Sequence, residues 1–282
     1  MTARTPTPTT PPPDPEPEPA TMSEAESYQR LRSHLSFLKL PDAAEALPQL
    51  LDQARQDKLS ALVTIERLLA VEVQATEQRR LSSRLRFACL PAPWSLADFD
   101  LSAQPGVDAA LIRELSSLRF LDNGTNLLFI GPPGVGKTML AIGIARAAAT
   151  AGHRVYFTTA ADLAARCHKA AIEGRWATMM RFYAGPRLLV IDELGYLALP
   201  AEAASALFQV INTRYLNGGA TAITTNLGIA SWAGAFGDPA VAGAMLDRLL
   251  HRGIVIGIDG PSYRLRSHQA RADTLRSGLG QP

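Results

Sequence analysis

Cysteine is nearly missing from this 282-residue chain: Cys89 and Cys167 stand far apart, with no CxxC spacing and no Cys/His cluster. That excludes a disulfide framework or a zinc site by spacing, and it fits a reducing cytoplasm. Long apolar runs are missing too. No stretch approaches the roughly 18–20 residues a membrane helix needs, and the N-terminus has no apolar signal core. The chain is therefore expected to be soluble and cytoplasmic, with no membrane partner. Strong charge of either sign is also absent, since 28 Lys and Arg stand against 26 Asp and Glu for a formal net charge of +2. The overall balance is silent on nucleic acid, so any basic surface must be local. His168, His251 and His268 lack metal-ligand spacing, and no nucleophile elbow supports Ser/His/Asp catalysis. There is no internal repeat.

What is present divides the chain into one large domain and an appendage, as 47% hydrophobic and 19% charged residues over this length allow. Residues 1–22 form a proline-rich tail, with eight of the 20 prolines before Met22. So little apolar surface cannot offset the entropy of ordering, and disorder is expected. The composition favours a solvated tail over a polyproline docking segment, and Met22 is the natural start. Residues 23–90 read as an all-helical module. Tyr28, Leu31, Leu35 and Leu38, then Ala46, Leu50, Leu51 and Ala54, then Leu62, Ile65, Leu68 and Leu69 recur at helical steps, with Pro41 as a break. Its end is basic. Arg79, Arg80, Arg84 and Arg86 include a pair, Arg80 and Arg84, on one helical face. Two readings stand side by side there: contact with a phosphate backbone, or a solvated helix C-terminus favoured by the dipole.

Pro91, Pro93 and Gly106 mark a linker over 91–107, and a flexible tail is expected over 268–282. Between them, after a helix near 108–121, strand patterns fall near 126–130, 154–158, 187–191, 220–225 and 253–258, with helical runs between most of them. That alternation predicts an α/β fold whose parallel sheet is flanked by helices.

The strongest motif is Gly131-Pro132-Pro133-Gly134-Val135-Gly136-Lys137-Thr138, which follows the apolar strand Asn126–Ile130 and opens a helix at Met139. This is GxxxxGK[ST] in its strand–loop–helix setting: the glycines let N–H groups approach phosphate, Lys137 reaches the β- and γ-phosphates, and Thr138 holds Mg²⁺. ATP with Mg²⁺ is the expected ligand. A second element, Leu188-Leu189-Val190-Ile191-Asp192-Glu193, ends an apolar strand in two acids. Asp192 is placed to orient Mg²⁺ through its water shell, and Glu193 to polarise an attacking water, which favours hydrolysis over binding alone. Asn226, closing the strand that ends Thr224-Thr225, is a candidate γ-phosphate sensor, set against an ordinary turn residue. Arg248 in Met245–Leu250 is the candidate transition-state arginine from a neighbouring subunit, set against a local salt bridge. Arg264 and Arg266, in a strand-like stretch from Ser262, are further candidates for phosphate or DNA. Trp94, Trp176 and Trp232 read as packing residues. Tyr196 fits loop ordering and core packing equally.

These residues together resemble the IstB-type ATP-binding helpers of insertion-sequence transposition, relatives of the DnaC helicase loaders, over about residues 23–267. The likeness is carried by Tyr28–Leu31, Leu38–Pro41, Phe99–Gly106, the glycine-rich loop, Phe157–Leu163, Ile191–Tyr196, Thr225–Leu227, Phe236–Pro239, Asp247–Leu249 and Ser262–Leu265. It implies a P-loop NTPase with an AAA+ core over 108–267, a helical DNA- or partner-binding domain, homo-oligomeric assembly on duplex DNA, and delivery of that DNA to a transposase. Carried over by position, Lys137, Thr138, Asp192 and Glu193 resemble the nucleotide and hydrolysis residues, Asn226 sensor 1, and Arg248 the arginine finger. The resemblance also favours the DNA reading of the four arginines. The chain departs from the family in its proline-rich start, and no separate helical lid follows to carry a sensor-2 arginine. A replicative helicase loader is the alternative within the fold. A small-molecule P-loop kinase is the alternative outside it, and the helical prefix argues against that one.

Overall fold

The computed structural model describes residues 22–196, 201–236, 238–263 and 265. The proline-rich start, Arg264, Arg266 and the tail from 268 lie outside the described residues. Between Gln78 and Arg79 the chain divides into two compact units.

The first unit holds α1 (Glu24–Phe37), α2 (Pro41–Gln56) and most of α3 (Ala61–Ala88). A capping box starts α1: Glu26 N–H donates to Ser23 Oγ at 3.2 Å and Ser23 N–H donates to Glu26 Oε2 at 2.9 Å. Proline opens α2 at its first position, where the missing N–H is harmless. Leu40 precedes it and has no capping side chain. Glu72 of α3 takes that role, accepting from the backbone N–H of Asp42 at 2.9 Å and of Ala43 at 3.0 Å. Leu35, Ala43, Leu47, Leu50 and Leu68 form the core. Of the periodic apolar residues on α3, Leu68 points inward, whereas Leu62, Ile65 and Leu69 are exposed. The single ridge that α2 presents through Ala43, Leu47 and Leu50 covers one line of α3 and no more.

In the second unit, α4 (Ala109–Ser116) precedes β1 (Asn126–Ile130), α5 (Lys137–Thr150), β2 (Val155–Thr159), α6 (Ala160–Ile172) and α7 (Trp176–Ala184). Then come β3 (Leu188–Leu194), α8 (Ala201–Asn217), β4 (Ala220–Thr225), α9 (Trp232–Ala235), α10 (Pro239–His251) and β5 (Gly253–Gly257). All neighbouring strands pair parallel, in the order β2-β3-β4-β1-β5. This is the expected α/β sheet. Alternation along β1 to β4 feeds two cores. Leu127, Phe129, Val190 and Ala222 pack with α5, while Leu128, Ile191 and Ile223 pack with α8 and α10. Full burial of each Leu, Ile or Phe is worth roughly 1.5–3 kcal/mol, which explains the near-continuous apolar runs of β1 and β3. Cys167 sits in the second core, where burial pushes its thiol up to about 11.

The edge of the sheet where the strands begin is closed by polar side chains. Arg214 of α8 is fully buried, and its guanidinium donates to Thr221 Oγ1 (3.1 Å) and to the carbonyls of Tyr183 (2.7 Å), Pro186 (3.0 Å) and Ala220. Burial, and then the neighbouring Arg187, pull its pKa down to about 9, which still leaves a cation at neutral pH. Arg187 reaches the carbonyls of Leu121 and Asp122. Asn126 accepts from Thr221 N–H at 2.9 Å and donates to Leu249 O at 3.2 Å, tying β1, β4 and α10 together.

One expected strand is corrected. Around Ser262, the described residues Tyr263 and Leu265 have helical backbone. Tyr263 N–H donates to Gly134 O at 2.9 Å and Leu265 N–H donates to Ser262 Oγ at 3.4 Å, bonds that hold these two residues away from strand pairing.

Candidate nucleotide site

The opposite edge of the sheet, where the strands end, gathers the motif residues. Past Ile130 the loop Gly131–Thr138 bends through Gly134 (φ 84°) and Gly136 (φ 99°), left-handed positions that cost a side-chain-bearing residue roughly 1–2 kcal/mol. Lys137 begins α5 with no side chain capping its first turn, so the helix's leading N–H groups and its positive end face the loop. Lys137 Nζ curls back onto the loop, donating to Gly131 O at 2.8 Å and Pro132 O at 2.7 Å.

Behind the loop, Thr138 Oγ1 donates to Asp192 Oδ1 at 2.9 Å. The same carboxylate oxygen accepts from Thr224 Oγ1. Asp192 is 5% exposed, and these two hydroxyls satisfy it where a lone buried carboxylate would be costly. Thr224 also braces the neighbouring acid, its hydroxyl accepting from Glu193 N–H at 3.0 Å. That bond holds Glu193 in a left-handed conformation (φ 61°), and the β3–β4 register slips between Ile191 and Leu194. The bulge lets β3 continue to Leu194, three residues past the expected end, while the Glu193 side chain leaves the core and faces the cavity.

That cavity, of about 550 Å³, runs from Gly134–Met139 to a wall made by residues 94–104 and Tyr263. The stretch expected to be a linker thus lies against the loop. Phe99 is seated so closely on Gly136 that a Cβ there would stand 2.6 Å from the ring. Ser95 closes a capping box with Asp98, whose carboxyl those hydrogen bonds hold below the usual carboxylate range. Beyond β5, Ile258 N–H donates to Ile130 O at 2.8 Å, and Gln104 Nε2 donates to Pro261 O at 2.9 Å.

Asn226 is exposed on the same cavity wall, at the end of β4. Arg248 is not among the cavity's described lining residues. Its Nε donates to Asn212 Oδ1 at 2.6 Å and its guanidinium lies 5.0 Å from the Phe208 ring centre. Arg80 and Arg86 are exposed on α3. Arg84 is half-buried and donates to Ala149 O at 2.8 Å, occupying a carbonyl at the end of α5. Arg79 is exposed and engaged in a further polar contact. Trp232 is buried as expected of a packing residue, and Trp176 donates to Gln209 Oε1 at 3.2 Å. Trp94 corrects that expectation: it is 39% exposed on the cavity wall, because the 94–104 stretch docks by other side chains and leaves its indole outside. Tyr196 is also exposed there, which overturns the core-packing reading. Thr224, Gln104 and Phe99 were not singled out individually from sequence. Two threonines closing an apolar strand, and Phe99 in an otherwise polar connection, were the available signals.

The donor set fits a nucleotide with a hard divalent cation. Two left-handed glycines give the loop the turn that brings its backbone to the start of α5, and a hydroxyl–carboxylate pair is oxygen-only chemistry suited to Mg²⁺. No cluster of three or more His, Cys, Asp or Glu able to hold a metal occurs among the described residues, and none of their helices is long and apolar enough to cross a membrane.

A parallel sheet with this loop, two strand-end acids and a helical prefix defines a P-loop NTPase of the AAA+ class. Two structural neighbours share the fold. The chain is similar to DnaI (TM-score 0.51, 19% identity, covering 59% of this chain and 91% of that one) and to the replication initiator DnaA bound to AMPPCP and single-stranded DNA (TM-score 0.50, 21% identity, covering 60% and 51%). Within the class, the chain belongs to the family described as IstB-like ATP binding protein, whose model matches residues 33–271. It is 38% identical to the insertion sequence IS232 putative ATP-binding protein of Bacillus thuringiensis subsp. berliner over 242 residues, 86% of this chain and 96% of the relative. It is 40% identical to the IS21 putative ATP-binding protein of Pseudomonas aeruginosa over 232 residues, 82% and 87% respectively.

Proposed function

We propose that this chain is a Mg²⁺-dependent ATPase that assembles as a homo-oligomer on duplex DNA and presents that DNA to a transposase. The observation that carries the hydrolytic part is the bulge at Glu193, which holds one acid at the cavity while its neighbour Asp192 stays behind Thr138. A site that only bound nucleotide would have no use for a strained, outward carboxylate. The insertion-sequence names of the relatives support the transposition setting.

In this reading the N–H groups of Gly134–Thr138 face phosphate oxygens, and Lys137 leaves the Gly131 and Pro132 carbonyls for the terminal phosphates. Thr138 and Asp192 hold the cation, Asp192 through its water shell. Mg²⁺, when bound, neutralises charge on the β- and γ-phosphate oxygens. Glu193 accepts a proton from the attacking water as the bond between the γ-phosphorus and the β–γ bridging oxygen breaks, releasing ADP and phosphate. Asn226 orients that water, and Arg248 of a neighbouring copy meets the developing charge. The helical region 23–90 serves DNA and partner through the exposed Arg80 and Arg86, while 108–267 is the ATPase domain.

The test is ATP turnover with and without duplex DNA at two salt concentrations, beside Glu193→Gln. Turnover should rise with DNA, and the rise should shrink at the higher salt as counterion release weakens. The variant should lose about 100-fold or more in turnover while still binding ATP. Turnover indifferent to DNA would sink the assembly mechanism.

A further inference from the structure

We propose that Asn212 is a positioning residue for hydrolysis in a neighbouring copy: its amide oxygen holds the Arg248 guanidinium in the orientation that meets that copy's terminal phosphate. This rests on the reading in which Arg248 of one copy serves the site of another, and it adds the residue that mounts the arginine.

Arg248 stands in the last turn of α10, and its own carbonyl lies 3.5 Å from Asn126 Nδ2, at the first residue of β1. The phosphate loop starts past Ile130, at the other end of a strand roughly 13 Å long. That whole strand separates Arg248 from the loop of its own chain, so a nucleotide it meets belongs to another copy.

Phe208 and Asn212 lie one turn apart on α8 and present one face to the arginine. Arg248 Nε donates to Asn212 Oδ1 at 2.6 Å, Nη1 donates to Ala244 O at 2.9 Å, and the guanidinium carbon lies 5.0 Å from the Phe208 ring centre. Nε can only donate, so the oxygen is the end of the Asn212 amide that meets it. Two hydrogen bonds and an aromatic wall fix the guanidinium plane, while Nη2 bonds to none of the described residues. The local salt bridge weighed against a catalytic role is missing: no described acid pairs with Arg248. An amide holds a guanidinium without cancelling its charge, as a carboxylate would. The same turn of α8 is pinned by Arg214, whose donors reach the carbonyls of Tyr183 and Pro186, so the mount is rigid. A transition-state arginine needs such a mount, since misplacement by about 1 Å costs on the order of 100-fold.

Steady-state ATP turnover on duplex DNA, beside calorimetric ATP binding, tests this in Asn212→Leu, which keeps the bulk and removes the acceptor. Its kcat should fall about 10- to 100-fold while ATP affinity changes less than about twofold. Arg248→Ala, which removes the mounted group itself, should fall at least as far. The decisive readout is complementation. Glu193→Gln copies have a dead site and a sound Arg248, whereas Asn212→Leu copies have a sound Glu193 and a badly held arginine. Mixed in equal amounts before DNA is added, they should turn over several-fold faster than the mean of the two alone, because the first supply arginine to the second. A mixture of Asn212→Leu with Arg248→Ala should show no such gain. No gain in the first mixture would place the effect of Asn212 within its own copy, and a gain in the second would detach it from Arg248; either overturns the proposal. Unchanged kcat in Asn212→Leu overturns it too, and Asn212→Ala carries the same tests if the leucine variant does not fold. An Arg248→Ala chain that hydrolysed ATP like the wild type would instead sink the reading of Arg248 on which this one stands.

Discussion

The two edges of the parallel sheet are built from similar materials and do opposite things. At the edge where the strands begin, Arg214, Arg187 and Asn126 direct their polar atoms at backbone groups of the same unit. At the edge where they end, Lys137 rests on two carbonyls of its own loop, Glu193 is turned outward, and Gln104 Oε1 is unmatched among the described residues. A buried cation at the first edge fixes the architecture; an accessible one at the second is held by contacts that phosphate oxygens can replace. The contrast teaches that polarity inside an α/β domain is read by where its hydrogen bonds end, not by how much of it there is.

The largest test of this contrast is Arg214→Met. It removes every donor of the guanidinium and strands the carbonyls of Tyr183, Pro186 and Ala220, so urea unfolding should register a loss of at least about 3 kcal/mol. The folded fraction should bind ATP with unchanged affinity. A large fall in that affinity would show that the two edges are not separable. Next comes Lys137→Ala, expected to cost about 100-fold in ATP affinity, or about 2.7 kcal/mol, while the urea midpoint stays in place. A lowered midpoint would mean that the carbonyl contacts of Lys137 are structural after all. Thr224→Val sharpens the boundary, because Thr224 lines the cavity and its hydroxyl holds both Asp192 and the Glu193 backbone. It should lose about 1–2 kcal/mol of stability and slow turnover roughly tenfold, with ATP affinity held. Intact turnover would mean that the bulge keeps Glu193 in place without the Thr224 hydroxyl.

Much of this was legible in the residues. Strands β1 (Asn126–Ile130) and β4 (Ala220–Thr225) span the residues expected of them, because short, mostly apolar or β-branched stretches bounded by turn residues mark a strand buried on both faces. The glycine-rich loop was legible because phosphate binding constrains backbone and side chain together. What escaped depends on contacts distant in sequence. Asp192-Glu193 looks like the polar end of a strand, yet β3 continues to Leu194 because Thr224, 31 residues away, holds the bulge. Prolines and a glycine make 91–107 look like a connection, and its place on the cavity wall comes from Phe99 against Gly136 and from Gln104 reaching Pro261, 157 residues on. The apolar steps of α3 signalled a helix but not which of them lacked a facing ridge.

The bond from Arg84 to Ala149 O has a mechanical side. Helix α5 spans Lys137–Thr150, a stiff rod roughly 21 Å long. One end of it is the phosphate loop, and the other is clasped by the last turns of α3. A helix strains little along its axis, so the Arg84 bond at one end and the glycine-rich loop at the other fix the two ends of a single rigid rod.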